Sequence, residues 1–481
     1  MRPLVLRLGS SLLLGALLGA AAPAQTFGPY TDVTLPQVGV GAADHATVAL
    51  DGAGDVLVAF QVERPDGRHD VEVVGVVQVA DRVWEVLPPQ VVGDAGAGVL
   101  GRDECHKPDV VALGDGTFAV AWPRLDADDD RFGRIESVRV ALRDPGTGQP
   151  RAFPQVDAPA PGVGWVADPD FTPGRAGGMP DLAHDPSRPG ECTVVYADEE
   201  WDLNVLGASW REYALKAVRL DWNRQPGSSQ WADGPFTLIR DVGADQDVGE
   251  ALRGGLVLPD ALFDDWGRLV VACEEFLLPG HQLPLLANPL GRVRVLRLEP
   301  RNHGYELLED RSLLGDASDR RQRRPNLASH HDDGDGRVLV AWMEVLPGND
   351  GRVHFERLVY LDADGGSIGP FPEPWAPGRN GESDALPSCA RGLATSLAVA
   401  TRDDGASWTL LAAIGRDGGA GRMVPLPTAV AYPWRPALDL REVPGAQQSG
   451  LMERIVLTYE GSDVDDEATY RIHLIVAEIA A

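Results

Sequence analysis

KPDVVALGDGTFAVAW, residues 107–122, is the stretch that decides the fold. A short apolar segment follows Pro108, a Gly-Asp-Gly turn occupies positions 114–116, and a second apolar segment ends at Trp122. Two short apolar segments joined by a glycine turn are typical of an antiparallel hairpin. The stretch therefore predicts two adjacent β-strands.

Copies of this hairpin recur along the chain. One begins at His45, and six open at prolines: Pro108, Pro180, Pro259, Pro325, Pro387 and Pro436. The prolines are roughly 50 to 80 residues apart, a spacing that indicates a repeat architecture. The copy that follows Pro387 has no clear boundaries between positions 387 and 430. The chain therefore contains seven related units.

Each unit has room for four strands, because further alternating runs such as Arg292–Leu298 follow the hairpins. Helical periodicity is nearly absent, and four-stranded units repeated around an axis form a propeller. The last unit supplies three strands, and the segment Thr26–Leu35 can supply the fourth, which would leave no open sheet edge. The sequence predicts an all-β, seven-bladed β-propeller of four-stranded antiparallel blades, closed by its N-terminal strand. The alternative, a linear β-solenoid, has shorter coils.

The N-terminus has the pattern of a secretory signal peptide. Arg2 and Arg7 precede an apolar run, and Ala22-Pro23-Ala24 offers small residues to a signal peptidase. A membrane anchor is the alternative, but the run is short for a bilayer span of about 20 residues. We expect a signal peptide over 1–24, a single propeller domain over 25–481, an extracellular or periplasmic location, and no membrane span after cleavage.

The composition narrows the partners. The formal net charge is −29, which disfavours nucleic acid and anionic membranes and suits solubility or a saline habitat. Four cysteines, at positions 105, 192, 273 and 389, allow three disulfide pairings, among which the sequence does not choose. Their spacing indicates no zinc or haem site, so we expect no metal and no cofactor. A monomer is expected.

One segment carries a family resemblance. Thr401-Arg402-Asp403-Asp404-Gly405-Ala406-Ser407-Trp408 resembles the Asp-box, or BNR repeat, of sialidases and related propellers. In that family the box is a folding turn away from the active site, so the resemblance implies a fold and no catalytic residue. Here the box falls at an earlier turn of its unit than is usual in the family. The arginine triad and the tyrosine–glutamate nucleophile of sialidases are not recognisable by motif.

Polar residues recur at one face of the predicted ring. The first strand of a blade starts on the face where the second strand ends, so these positions from all blades converge. The candidate ligand-binding residues at this face are His45, Glu104, His106, Lys107, Arg324, Glu344, Arg435 and Glu460. No catalytic residue is assigned. The aspartates that follow the repeat prolines, Asp109, Asp181 and Asp260, are interpreted as structural hydrogen-bond acceptors.

These residue types suit an acidic glycan. Arginines bind carboxylate or sulfate groups in bidentate fashion, and neighbouring carboxyls can form the acid and base of glycoside cleavage. A histidine or lysine could instead abstract a proton, as in an eliminating lyase. The sequence thus predicts a carbohydrate-binding protein, with cleavage left open. The alternative is a non-catalytic scaffold for an extracellular protein, and a cofactor-dependent oxidoreductase has no support in the spacing of cysteines or histidines.

Overall fold

A computed structural model describes twenty-one segments of the chain. They are 4–7, 31–80, 83–95, 104–105, 107–126, 131–157, 165–167, 179–203, 209–225, 231–240, 256–277, 290–313, 321–329, 336–345, 353–361, 368–370, 383–392, 395–403, 408–416, 422–444 and 451–480. Within them the fold is all-β, as predicted, with a 3-10 helix at Glu467–Thr469. No helix among these residues is long and apolar enough to cross a membrane.

The described strands form seven antiparallel sheets, numbered here in chain order. The first three sheets account for the N-terminal half of the chain. Sheet 1 contains β1 (Leu4–Arg7), β3 (Ala43–Leu50), β4 (Val56–Glu63), β5 (His69–Ala80), β6 (Val83–Val86) and β7 (Gln90–Gly93); sheet 2 contains β8 (Glu104–Cys105), β9 (Asp109–Ala112), β10 (Thr117–Asp126), β11 (Arg131–Arg143), β12 (Pro150–Asp157) and β13 (Trp165–Ala167); sheet 3 contains β14 (Asp181–Ala183), β15 (Glu191–Leu203), β16 (Ser209–Asp221) and β17 (Ala232–Arg240).

Sheet 3 and the remaining four sheets have four strands each, as predicted, whereas sheets 1 and 2 have six because short extra strands pair along them. Sheet 4 contains β18 (Leu256–Phe263), β19 (Leu269–Leu277), β20 (Leu290–Arg301) and β21 (Gly304–Ser312); sheet 5 contains β22 (Arg321–Ser329), β23 (Val338–Val345), β24 (Val353–Leu361) and β25 (Ile368–Pro370); sheet 6 contains β26 (Ser383–Arg391), β27 (Thr395–Asp403), β28 (Trp408–Arg416) and β29 (Arg422–Leu426); sheet 7 contains β2 (Thr31–Thr34), β30 (Tyr432–Pro444), β31 (Leu451–Ser462) and β32 (Arg471–Ala480).

The hairpin predicted from residues 107–122 is β9 paired with β10, with Phe118 opposite Ala112 and Ala121 opposite Asp109. Gly114 and Gly116 in its turn have φ of 71° and 82°, where a side chain would be strained. The second strands are almost fully buried, because both of their faces are covered by neighbouring sheets; β4 buries every residue from Val56 to Val62.

The core is divided into seven apolar clusters. One lies between each sheet and the next, and another joins sheet 7 to sheet 1 through residues such as Val456 and Val58. The first strands β3, β9, β14, β18, β22, β26 and β30 each contact the first strands of the preceding and following sheets, and β3 contacts β30. Together they line an axial cavity of about 220 Å³.

The four cysteines are buried and carry free thiols. Burial raises the pKa of Cys105 and of Cys192 to about 12, so both thiols stay protonated at neutral pH. None of the three possible disulfide pairings is present in the structure.

Candidate functional site

A cavity of about 260 Å³, here called the mouth, opens where the first strands begin. Its wall comes from residues near the beginning of those strands or just before them, together with one buried glutamate. They are His45, Lys107, Met179, Leu258, Arg324, Arg435 and Glu460. Asp109, Asp181, Asp260 and Asn326 line both the mouth and the axial cavity, so they form the boundary between the two.

The backbone at the mouth is unusual. Five residues that are not glycine have positive φ: His45, Lys107, Leu258, Arg324 and Arg435, with values between 38° and 51°. The strand register slips at this point in sheets 1, 4, 5 and 7, which identifies a bulge. A left-handed conformation costs an L-residue about 1–2 kcal/mol, so surrounding contacts must hold it.

Three of these residues are held by the sheet before them. The backbone N–H of each donates to a buried side chain on the second strand of that sheet: His45 to Glu460 Oε1 at 2.6 Å, Lys107 to Gln61 Oε1 at 2.9 Å, and Arg324 to Glu274 Oε2 at 3.4 Å. The three acceptors have at most 4% of their surface exposed. These bonds, here called latches, fix the direction in which each mouth side chain leaves the backbone.

Positive charge converges at the mouth. Burial lowers the pKa of Lys107 to about 8, and the charges of Arg324 and Arg435 lower it further in the same direction. The cations come from sheets 2, 5 and 7, which are far apart in sequence. Like charges held together in a cavity are attractive to an anion.

Two carboxyl groups beside Arg435 have opposite protonation preferences. Burial raises the pKa of Glu460 to about 8, against the opposing charge of Arg435. Burial also acts to raise the pKa of Asp44, but the hydrogen bond and charge of His45 outweigh it, and the pKa of Asp44 is lowered. Both carboxyls lie near Arg435 Nη1: the distance to this atom is 3.5 Å from Glu460 Oε2 and 3.6 Å from Asp44 Oδ2. At neutral pH Glu460 is therefore a protonated acid and Asp44 an ionised base.

His45 is neutral at physiological pH. Burial lowers its pKa to about 4, although Asp44 opposes the shift. Its Nδ1 lies 3.1 Å from Asp44 Oδ2 and 3.3 Å from Arg435 Nη1. At neutral pH it therefore contributes a hydrogen-bonding group and no charge, and its charge acts on Asp44 only at the acid pH where His45 is protonated.

Below the mouth runs a set of bonds between sheets, here called the belt. The side chain after five of the six repeat prolines accepts a backbone N–H from the next sheet: Leu182 N donates to Asp109 at 2.7 Å, Ala261 N to Asp181 at 2.6 Å, Leu327 N to Asp260 at 3.3 Å, Cys389 N to Asn326 at 2.6 Å, and Leu438 N to Ser388 at 3.0 Å. The interpretation of these aspartates as structural acceptors is confirmed.

The belt carboxyls keep their protons to a higher pH than a free aspartate does. Burial is the main cause: it raises the pKa of Asp109 to about 6 and, with the added charge of Asp109, that of Asp260 to about 8. The pKa of Asp181 is also raised, by burial and then by its two acidic neighbours. Three ionised carboxylates could not share this space.

The structure brings five of the eight sequence-predicted residues together in the mouth: His45, Lys107, Arg324, Arg435 and Glu460. For Glu104 and Glu344 only the backbone is described; Glu104 pairs with Leu125 in sheet 2, and Glu344 with Gln322 in sheet 5. His106 lies outside the described residues.

Three mouth features were missed by reasoning from sequence. Gln61 carries no charge, and Met179 and Leu258 are apolar, so none of them was selected by a search for acidic and basic side chains. A signal was present, because Lys107, Met179, Leu258, Arg324 and Arg435 all precede a repeat proline.

The Asp-box segment forms the β27–β28 hairpin of sheet 6, between its second and third strands. Its tip, 404–407, lies outside the described residues. The ring of Trp408 lies 4.8 Å from that of Trp434 and 5.9 Å from that of Tyr432, so the box packs against sheet 7. Within the described segments, no group of three or more His, Cys, Asp or Glu side chains could hold a metal ion.

No protein-family model and no curated protein matches the chain. Among solved structures it is similar to a protein of unknown function from Dyadobacter fermentans (13% identity, 93% of this chain, 98% of that one, TM-score 0.44). It is also similar to an α-L-arabinanase of Penicillium chrysogenum complexed with arabinobiose (12%, 93% and 98%, TM-score 0.41). A third is a subtype N11 neuraminidase-like protein of A/flat-faced bat/Peru/033/2010 (10%, 77% and 87%, TM-score 0.38). With TM-scores below 0.5, these likenesses carry no inference about activity.

Proposed function

We propose that the protein is a secreted, monomeric β-propeller that binds an acidic glycan at the mouth. The signal peptide over 1–24 and the single domain over 25–481 belong to this proposal. Cleavage would remove β1, which pairs with β6 at the edge of sheet 1, and would leave the other strands of that sheet in place. N-terminal sequencing of the protein exported by its host would test the cleavage site.

We further propose that the seven sheets are the blades of one ring, closed by the N-terminal strand. Two observations support the closure. Thr31–Thr34 pairs antiparallel with β32 near the C-terminus, with Asp32 opposite Ile475. Buried Arg454 of sheet 7 donates to Gly54 O at 2.9 Å and to Gln78 Oε1 at 3.0 Å, both in sheet 1.

The single observation that carries the glycan proposal is the convergence of Lys107, Arg324 and Arg435 on one cavity. An acidic sugar presents a carboxylate or sulfate that such cations bind in charge-assisted hydrogen bonds. The neutral Glu460 carboxyl and the imidazole of His45 suit sugar hydroxyls. The net charge of −29 makes a general attraction of anions to this protein implausible, so the basic mouth is a local feature.

Cleavage is the second part of the proposal. Protonated Glu460 would donate a proton to the leaving oxygen, and ionised Asp44 would act as the base or nucleophile. Turnover should then fall as pH rises through about 8, where Glu460 loses its proton.

A glycan array on the mature protein, followed by product analysis, tests both parts. The double variant Lys107→Ala, Arg324→Ala should lose binding by roughly a hundredfold or more, since each charge-assisted bond is worth about 1.5–3 kcal/mol. The control Arg301→Ala removes an arginine that pairs with Glu306 at an exposed site in sheet 4, and should bind normally. Equal binding by both variants would place the site elsewhere. An empty array would favour the protein-interaction scaffold.

A further inference from the structure

The mouth has two chemically different sides. Sheets 7, 1 and 2 are consecutive around the wall and contribute Arg435, His45 and Lys107. Sheets 3 and 4 follow and contribute Met179 with Pro180 and Leu258 with Pro259. We call the first set the polar arc and the second the apolar arc. Arg324 of sheet 5 borders the apolar arc on its far side.

The apolar arc is built into the fold. Leu258 has φ of 51°, so a bulky side chain is kept in the left-handed conformation that favours glycine or asparagine. It is half-buried and packs against the core cluster between sheets 3 and 4, which fixes its position. Pro180 and Pro259 behind the two side chains are buried.

The size of the mouth also restricts its ligand. A cavity of about 260 Å³ is several times larger than the roughly 30 Å³ that a water molecule occupies in the liquid. A small inorganic anion on Lys107 would leave the apolar arc facing water. A charged group placed against Met179 and Leu258 would lose hydration without a partner.

We propose that the mouth selects an organic anion that carries an apolar group, with the anion on the polar arc and the apolar group on Met179 and Leu258. This inference rests on the proposed function, because it specifies which acidic ligands the same site prefers. An acidic glycan with an apolar substituent would satisfy both arcs, whereas an unsubstituted one would satisfy only the polar arc.

Two probes test the inference: 3-phenylpropionate and propionate, which share a carboxylate and differ by a phenyl ring. Affinities would be measured by NMR titration of the mature protein. We expect 3-phenylpropionate to bind at least tenfold more tightly, since burial of an aromatic ring adds a large apolar contribution. It should also displace an acidic glycan found on the array.

Leu258→Asn should reduce the difference in affinity between the two probes to about threefold or less. Asparagine tolerates a left-handed backbone, so the fold should persist; Met179→Gln is the second variant if it does not. The control Leu307→Asn changes an exposed leucine in the same sheet and should alter neither affinity.

Equal affinities for the two probes would overturn the inference and leave the glycan proposal standing. The same holds if neither probe binds to a protein that does bind an acidic glycan on the array. If the array is also empty, the proposed function fails together with the inference.

Discussion

At four repeat prolines, Pro108, Pro180, Pro259 and Pro325, the residues before and after the proline have different roles, although only the proline separates them. Lys107 and Asp109 flank Pro108, and Arg324 and Asn326 flank Pro325. The residue after the proline accepts a hydrogen bond from the next sheet and belongs to the belt. The residue before it varies between lysine, arginine, methionine and leucine and faces the mouth.

This difference shows how a repeat fold separates stability from specificity. The belt position needs a hydrogen-bond acceptor, so its chemistry is restricted to Asp, Asn or Ser in sheets 2 to 6. The mouth position is held through its backbone N–H, as at Lys107 and Arg324, so its side chain is not part of the bond. We therefore expect substitutions at the belt to affect stability and substitutions at the mouth to affect binding.

The largest effect on stability should come from the belt. Asp181→Ala removes the acceptor of the Ala261 N–H and leaves that donor unpaired inside the protein. We expect a loss of about 2–3 kcal/mol in the free energy of unfolding, measured by urea denaturation. Lys107→Ala at the mouth should change it by less than about 0.5 kcal/mol.

Asp181→Asn is the matched control, because an amide oxygen can still accept the hydrogen bond from the Ala261 N–H.

The belt also predicts a pH dependence of stability. Unfolded aspartates lose their protons near pH 3.9, whereas the pKa of Asp109 is about 6 and that of Asp260 about 8 in the folded protein. The folded state therefore binds more protons between these values, and its stability should fall as pH rises from about 4 to 8. Asp181→Asn should make the fall smaller; an unchanged slope would contradict a shared carboxyl cluster.

Substitution of the latch acceptor Gln61 should affect both the stability of the protein and the side chain of Lys107 at the mouth. Gln61→Met removes the acceptor of the Lys107 N–H with little change in side-chain volume. We expect a loss of about 1–2 kcal/mol of stability. Without the latch, Lys107 should move away from Arg324 and Arg435 at the mouth, and its pKa should rise from about 8 toward about 10.4. The pH dependence of Lys107 acylation, followed by mass spectrometry, measures this shift.

The control Gln78→Met removes another glutamine acceptor of sheet 1. Gln78 Oε1 accepts a hydrogen bond of 3.0 Å from Arg454 Nη2, and this bond does not involve the mouth. The control variant should destabilise the protein and leave the Lys107 pKa unchanged. If both variants shift that pKa equally, Gln61 has only a general structural role.

Much of the difference between belt and mouth positions could be predicted from the sequence. The repeat prolines and glycine turns are local signals, so the hairpin of residues 107–122 and its copies were predicted as strands. The belt aspartates were interpreted correctly because the same residue type recurred at one position of the repeat. Five mouth residues were predicted because polar side chains stand out among apolar ones at the start of a first strand or, for Glu460, at the end of a second strand.

The latches and the apolar arc were not accessible, since they depend on contacts between sheets. The distance in sequence from Gln61 to Lys107 gives no hint that one accepts the N–H of the other. Leu258 looks like an ordinary strand residue until its backbone conformation is known. The single Asp-box indicated a related fold, but the packing of Trp408 on Trp434 required the neighbouring sheet.

The smallest predicted change in stability tests the left-handed backbone conformation at the mouth. Lys107→Gly and Lys107→Ala remove the same charge, but only glycine adopts a φ of 38° without steric cost. We expect the glycine variant to be more stable by about 0.5–1 kcal/mol, because relief of the left-handed strain exceeds the extra entropy of the unfolded chain. Ala46→Gly, one residue after the left-handed His45, should instead destabilise the protein by a similar amount. Equal stability of the two Lys107 variants would mean that the latch imposes no strain, and the mouth residues would then be held in place by packing alone.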